Sequence, residues 1–143
     1  LSRLIVTKAE FQEMAEHRLA EAKALLDQGK WNGAYYLAGY AVELALKACI
    51  IKTLLATDAF PDKDFSKNCY THAVVKLVGL AKLDGARKTA MDADPDLLTN
   101  WALARDWSEE KRYHSIDKAE AEALYTAIAD GAHGVLPWIK TQW

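Results

Sequence analysis

Cationic, aromatic and imidazole side chains gather late in the chain, where Arg105, Lys111, Arg112, Tyr113 and His114 precede the helix that Asp117 opens. Cations, an aromatic face and the free N–H groups of a helix N-terminus can together hold a phosphate and stack a base. Asp106, Glu109 and Glu110 lie in the same stretch, so composition alone describes a solvated loop of mixed charge. A second group, Tyr36, Tyr40, Glu43 and Lys47, falls at successive offsets of four, three and four. That spacing aligns two phenols, a carboxylate and an ammonium along one helix stripe. Taken alone, the stripe is an ordinary i,i+4 ion pair worth about 0.2–0.5 kcal/mol, with tyrosines at the edge of a core. An Arg and a Glu drawn toward an apolar interior each need a partner. Arg112, Tyr113 and His114 are therefore expected to close over Glu43 and Lys47 in one polar cleft.

Other reactive groups carry less. Cys69 and His72 have a ligand-like spacing, but a structural zinc site takes about four ligands and no second pair is near, so no metal is expected. Cys49 stands in an apolar helical run and reads as packed core rather than nucleophile. His17 and His133 stand singly. The glycines are scattered, without the spacing of a phosphate-binding loop, so neither a nucleotide-hydrolysing nor a nicotinamide site is expected and no cofactor is implied.

The elements that must position these groups read as helices throughout. Thr7 with Glu10 forms a capping box, and Phe11, Met14, Ala15, Leu19, Ala22, Leu25 and Leu26 then recur at helical spacing until Gly29. Trp31 or Asn32 opens a second helix, apolar nearly all round as far as Leu55, which places it at the centre. Residues 57–71 read as a long loop, and His72 as the start of a shorter helix that Asp84-Gly85 stops. Residues 86–93 are ambiguous. Asp94-Pro95 supplies an N-cap and an N1 proline for a helix carrying Leu97, Leu98, Trp101 and Ala104. After a break at 108–115, Asp117 with Glu120 starts a last long helix toward Trp143, which Pro137 should kink or fray. The expected fold is all-α: an up-and-down helical bundle of four main helices plus a short fifth, forming a single domain over 1–143.

Composition sets the bounds. The 143 residues are 51% hydrophobic with 3 prolines and 7 glycines, which favours long helices in one domain. The net charge of −2 provides no global basic field, so any capture of nucleic acid must be local. Two cysteines form no disulfide framework, and a reducing cytoplasm is expected. Leu1 to Thr7 are too few and too polar for a signal peptide, and no long apolar stretch is free of charges, so no membrane is expected. With Leu1 rather than Met standing first, the sequence is expected to start after a removed start or inside a longer polypeptide.

The run AYYLAGYAVELALKA from Ala34 to Ala48 resembles the second helix of HEPN domains, with its small-residue register and Glu43 three residues before Leu46-Lys47. Leu25 to Trp31 at the end of helix one, the His72 opening, the Arg112-Tyr113 pair and an alanine-rich last helix fall in the order expected of that family. The resemblance covers nearly the whole chain. It implies a helical bundle, often dimeric, found beside or fused to nucleotidyltransferase domains or acting in toxin–antitoxin systems. Ribonuclease members use an Arg, four to six residues, then a His, which brings a phosphate-stabilising cation to an acid/base imidazole. This chain departs from that pattern. From Arg112 the matching positions hold Asp117, Lys118 and Ala119, and from Arg105 they hold Glu110, Lys111 and Arg112. His114, two residues after Arg112, could serve only as a displaced base.

The expected function is therefore a non-catalytic binding module, with a nucleotidyltransferase-type partner and nucleotide or RNA phosphate as ligand. Its ligand-binding residues would be Tyr40, Glu43, Lys47, Arg105, Arg112, Tyr113 and His114. Two alternatives stand beside it: a degenerate, toxin-like ribonuclease using Arg112 and His114, and a purely structural dimerisation domain. A homodimer is expected, because the central helix is apolar nearly all round and five tryptophans exceed what a small core usually hides.

Overall fold

The computed structural model describes residues 6–143. The reading of the N-terminal segment as no signal peptide falls largely on residues 1–5, outside the described ones. Eight α-helices and one 3-10 helix run along the described chain, and no strand occurs among the described residues. They are α1 (Lys8–Asp27), α2 (Trp31–Thr57), α3 (Lys63–Asn68), α4 (Val74–Leu80), α5 (Asp84–Ala93), α6 (Pro95–Arg105), the 3-10 helix Glu109–Tyr113, α7 (Lys118–Ala129) and α8 (Val135–Lys140). The all-α class stands. The expected count of four or five helices is too low.

α2 is the axis of the structure. α1 lies along it, α4, α7, α8 and the 3-10 helix pack on its remaining sides, and α6 closes against α7. Its length and a mean hydropathy of 1.4 would suit a membrane span, but 72% of that apolar window is buried inside the bundle. A core helix surrounded by its own chain accounts for the composition. Leu44, Leu46, Leu77, Leu124, Ile128, Leu136 and Ile139 fill the interior. Trp101, Trp107 and Trp138 are buried as well, so three of the tryptophans are hidden without a second copy.

The capping signals hold where the expected helices start. Thr7 Oγ1 accepts from the Glu10 N–H at 3.2 Å while Glu10 Oε1 accepts from the Thr7 N–H at 3.2 Å, the reciprocal capping box. Asp94 accepts from the Leu97 N–H ahead of Pro95, and Asp117 from the Glu120 N–H at 2.8 Å. α1 ends in a Schellman turn: Gly29 takes φ 71°, its N–H donates to the Leu26 carbonyl, and the Lys30 N–H reaches Leu25.

The boundaries between these starts differ from expectation. The loop 57–71 contains α3, because Asp62 caps it by accepting from the Phe65 N–H. α4 starts at Val74, leaving His72 outside the helix. Asp84-Gly85 does not stop a helix; it begins α5, which also takes up the ambiguous 86–93. The stop lies earlier, at a second Schellman turn in which Lys82 takes the left-handed position usually held by glycine, with φ 57°. Its N–H donates to Gly79 and that of Leu83 to Val78. The last long helix is two. The chain turns between Ala129 and Gly134, where a Cβ on Gly134 would lie 2.2 Å from the Asp130 carbonyl oxygen. Pro137 neither kinks nor frays this end. It is the third residue of α8, in the first turn, where an N–H has no partner within its own helix.

That turn is tied to α6 through one imidazole. His133 Nδ1 lies 2.8 Å from Asp94 Oδ2, while the other Asp94 oxygen caps α6, and Asn100 donates to the His133 carbonyl at 2.9 Å. The hydrogen bond from Asp94 raises the His133 pKa from its ordinary 6.5, and the hydrogen bond from His133 lowers that of Asp94 from 3.8. A raised imidazole stabilises the fold below about pH 6.5, and that gain is lost as pH rises through the raised value. A depressed carboxyl stabilises above about pH 3.8, and that gain is lost as pH falls through the lowered value. The contribution should be greatest between these limits. Thermal unfolding is expected to show a wild-type advantage over His133→Asn in that window that shrinks toward pH 9; a difference independent of pH would remove the assignment.

Candidate functional site: a buried carboxylate and a 3-10 helix

Glu43 is the only buried charged residue among the described residues, with 1% of its surface exposed. An ionised carboxylate in an apolar helix persists only if both oxygens are matched. Lys47, one turn on, places Nζ 3.2 Å from Oε2, and His72 places Nδ1 2.9 Å from Oε1. The expected partner, Arg112, is not the one found. An i+4 lysine meets half of the demand within the helix, and an imidazole from outside α2 meets the rest.

His72 faces two carboxylates. Its Nε2 lies 3.2 Å from Glu109 Oε2 on the 3-10 helix, so the ring bridges the buried Glu43 and the 42%-exposed side chain of Glu109. Both contacts can be hydrogen bonds at once only when each ring nitrogen carries a proton.

Arg112 stands three residues after Glu109. In a 3-10 helix, side chains three apart lie over one another, so both fall on the same side of the segment. The Arg112 guanidinium lies 4.8 Å from the centre of the Tyr113 ring and donates to the Tyr113 hydroxyl at 2.8 Å. The Tyr113 hydroxyl, and after it that of Tyr36 on α2, raise the pKa of Arg112 and keep it charged. None of the described carboxylates pairs with it in a salt bridge. Tyr36 in turn stacks on Tyr40 at 6.1 Å and packs against Trp107 at 5.8 Å. Burial, followed by the charge of Glu43, pushes the Tyr40 phenol up, so it stays a neutral donor.

Two anchors hold this segment against α2. Trp107 lies flat on Gly39, where a Cβ would come within 2.2 Å of the indole; only a glycine lets the ring approach so closely. Beyond the 3-10 helix, Asn32 donates to the His114 carbonyl and accepts from the Ile116 N–H at 3.0 Å.

The site residues expected from sequence thus fall into three groups. Tyr40, Glu43 and Lys47 share the α2 stripe, and Arg112 meets that stripe at Tyr36. Tyr113 is 75% exposed and serves Arg112 as a platform. His114 and Arg105 are exposed, His114 where the backbone leaves the 3-10 helix and Arg105 in the last turn of α6. Sequence reasoning missed His72, Glu109 and Trp107 as members of the site. Only the unmet half of Glu43 pointed toward His72.

Two other features flank this arrangement or lie beyond it. Oxygen and nitrogen atoms of Asp94, Asp96 and His133 come within 4.8 Å of one another, but capping and the imidazole hydrogen bond already account for Asp94 and His133. A cavity of 370 Å³ opens between α2 and α3, lined by Phe11, Ile50, Leu54, Phe65 and Cys69, with Lys47 among its walls. Burial raises the Cys69 thiol, which makes it a poor nucleophile.

The match to known proteins agrees with this architecture. The chain matches the HEPN domain family over residues 9–140 and belongs to it. No curated protein and no solved structure matches the chain.

Glu43→Ala should cost about 3–5 kcal/mol in urea unfolding, since it strands a largely buried Lys47 beside His72. A loss below about 1 kcal/mol would mean that the carboxylate does not organise these groups.

Proposed function

We propose that this HEPN chain is a binding module that holds the phosphate of a nucleotide or RNA where the 3-10 helix packs on α2, without cleaving it. The observation that carries the reading is the state of the imidazole seated there. A general base needs a free ring nitrogen within reach of the hydroxyl it deprotonates, and both His72 nitrogens face carboxylates. Arg112, by contrast, is charged, exposed and backed by tyrosine rings, which suits a phosphate next to a base. The ribonuclease alternative would rest on His114, whose ring makes no hydrogen bond to Arg112 among the described residues. The missing Arg-to-His spacing supports the same reading.

Purified protein is expected to leave RNA intact while binding a nucleotide or short RNA weakly. Arg112→Ala should weaken that binding roughly tenfold or more, the scale of a charged hydrogen bond worth about 1.5–3 kcal/mol. Robust cleavage lost on both Arg112→Ala and His114→Ala would instead make the protein a ribonuclease. Binding indifferent to Arg112→Ala would leave a structural role.

We also propose a homodimer and a nucleotidyltransferase-type partner, the second supported by the family resemblance alone. α2 is covered within its own chain, so support for self-association moves to the exposed Leu55, Phe60, Tyr70 and Val75. Light scattering at micromolar concentration is expected to give the mass of two chains. A strictly monomeric mass would remove the homodimer.

A further inference from the structure

We propose that the cavity between α2 and α3 is a binding site for a small apolar carboxylate, whose hydrocarbon body lies among the cavity walls and whose charged end meets Lys47. This site goes beyond the phosphate reading above, which places its ligand on Arg112.

The walls follow from the sequence of α2. Lys47, Ile50, Ile51 and Leu54 recur at offsets of three and four and so share one face of the helix. Upstream the helix is tightly covered, and Ala34, Ala38, Ala41, Ala45 and Ala48 are fully buried. Beyond Ile50 the cover thins, and Ile51 and Leu54 are only half-buried. The neighbour on that side is α3, a helix of six residues, which sends Phe65 and Cys69 toward the core. Phe11 of α1 completes the surround, and the space left between them is 370 Å³.

Size and lining narrow the occupant. Sites that enclose small molecules run about 300–1,000 Å³, with mostly apolar walls and a few placed polar groups. At 370 Å³ the cavity lies at the small end of that range. It suits one short chain or ring system, and not a nucleotide with its phosphates or a partner helix.

Charge fixes the head group. None of the described lining residues is acidic, and Lys47 is the cation among them. An ammonium carries three N–H donors, and Glu43, 3.2 Å away, is the one ion-pair partner of Lys47 among the described residues. The Lys47 side chain is 15% exposed, so water reaches its remaining donors poorly, and a buried donor left without an acceptor is costly. At the Cys69 thiol, burial raises the pKa and the charge of Lys47 opposes that rise. The ammonium is thus felt at a second residue of the same cavity wall. A carboxylate entering there would take the donors that Glu43 leaves, while Glu43 keeps its contact with His72. A phosphate monoester would bring about −1.5 to −2 charges beside Glu43, more than one ammonium balances.

Calorimetric titration of the whole chain with hexanoate, octanoate and decanoate tests the site, with 1-naphthoate as the ring-bodied arm and decanol as the uncharged one. Affinity should rise roughly fourfold per added CH₂ until the cavity is filled. Decanol should bind about tenfold more weakly than decanoate, the scale of a charged hydrogen bond, and the tighter of decanoate and 1-naphthoate names the body. Cys69 reports the place. Bound carboxylate should slow its alkylation by iodoacetamide, read by mass spectrometry of its peptide, while Cys49, buried with its thiol pushed up to about 11, stays unlabelled. Lys47→Met keeps the stem, removes the charge and should erase the preference for decanoate over decanol. Because that change also unbalances Glu43, Ile51→Trp supplies a second variant, which fills the cavity, leaves both members of the ion pair in place and should weaken binding at least tenfold. Equal affinity for decanol and decanoate would overturn the proposal. So would carboxylate binding that leaves Cys69 alkylation unchanged and survives Ile51→Trp, or no binding of any carboxylate at millimolar concentration.

Discussion

One carboxylate in an apolar helix constrains the site from end to end. Glu43 sits where a leucine would pack with no further demand, and a buried ion pair is rarely more stable than its apolar replacement. What it imposes is position. Lys47 is drawn along α2, and His72 is drawn across from the segment before α4. A helix beginning at His72 would commit that residue's backbone to α4; with α4 starting at Val74, the imidazole is free to turn onto α2. Glu109 then follows from His72, and Arg112 from Glu109 through the pitch of the 3-10 helix. Apolar contacts make the bundle, while this polar chain decides which surface groups face each other.

The second constraint is steric. The alanine and glycine positions of α2 let its neighbours approach closely, and Gly39 is the point of nearest approach, with the Trp107 ring laid on the backbone. The buried indole N–H finds no hydrogen-bond acceptor among the described residues, a cost of about 1–3 kcal/mol in general terms. Contact with the Tyr36 ring and the large apolar area of the indole offset it. Trp107 is thus the pin that fastens the 3-10 helix to the stripe carrying Tyr36, Tyr40 and Glu43.

Much of the fold was legible because its signals are local. Thr7, Asp94 and Asp117 mark helix starts through their own side chains, and the apolar surround of α2 marks it as the centre. The missed boundaries are those where a residue acts against its usual preference. Lys82 adopts a left-handed backbone usually met at glycine, so composition points to a stop at Asp84-Gly85, where α5 in fact begins. The turn at Gly134 depends on space beside the Asp130 carbonyl, which no spacing in the sequence reveals, so α7 and α8 were joined. The site was legible in part for the same reason. The α2 stripe follows from helical periodicity, whereas His72 and Glu43 are 29 positions apart and their pairing leaves no periodic trace. A buried carboxylate demands a counter-charge, but composition alone does not choose Arg112 over Lys47, which meets half of the demand within one turn.

The charge of the chain bears on how such a site could work. With a net charge of −2, the protein offers no long-range attraction to polyanions, so recognition must come from a few placed groups. Where the 3-10 helix meets α2, Glu43 pairs with Lys47 and His72, Glu109 pairs with His72, and Arg112 has no carboxylate partner among the described residues. Recognition of an anion here would then depend on where that guanidinium and its tyrosine neighbours stand, not on a basic field over the rest of the molecule.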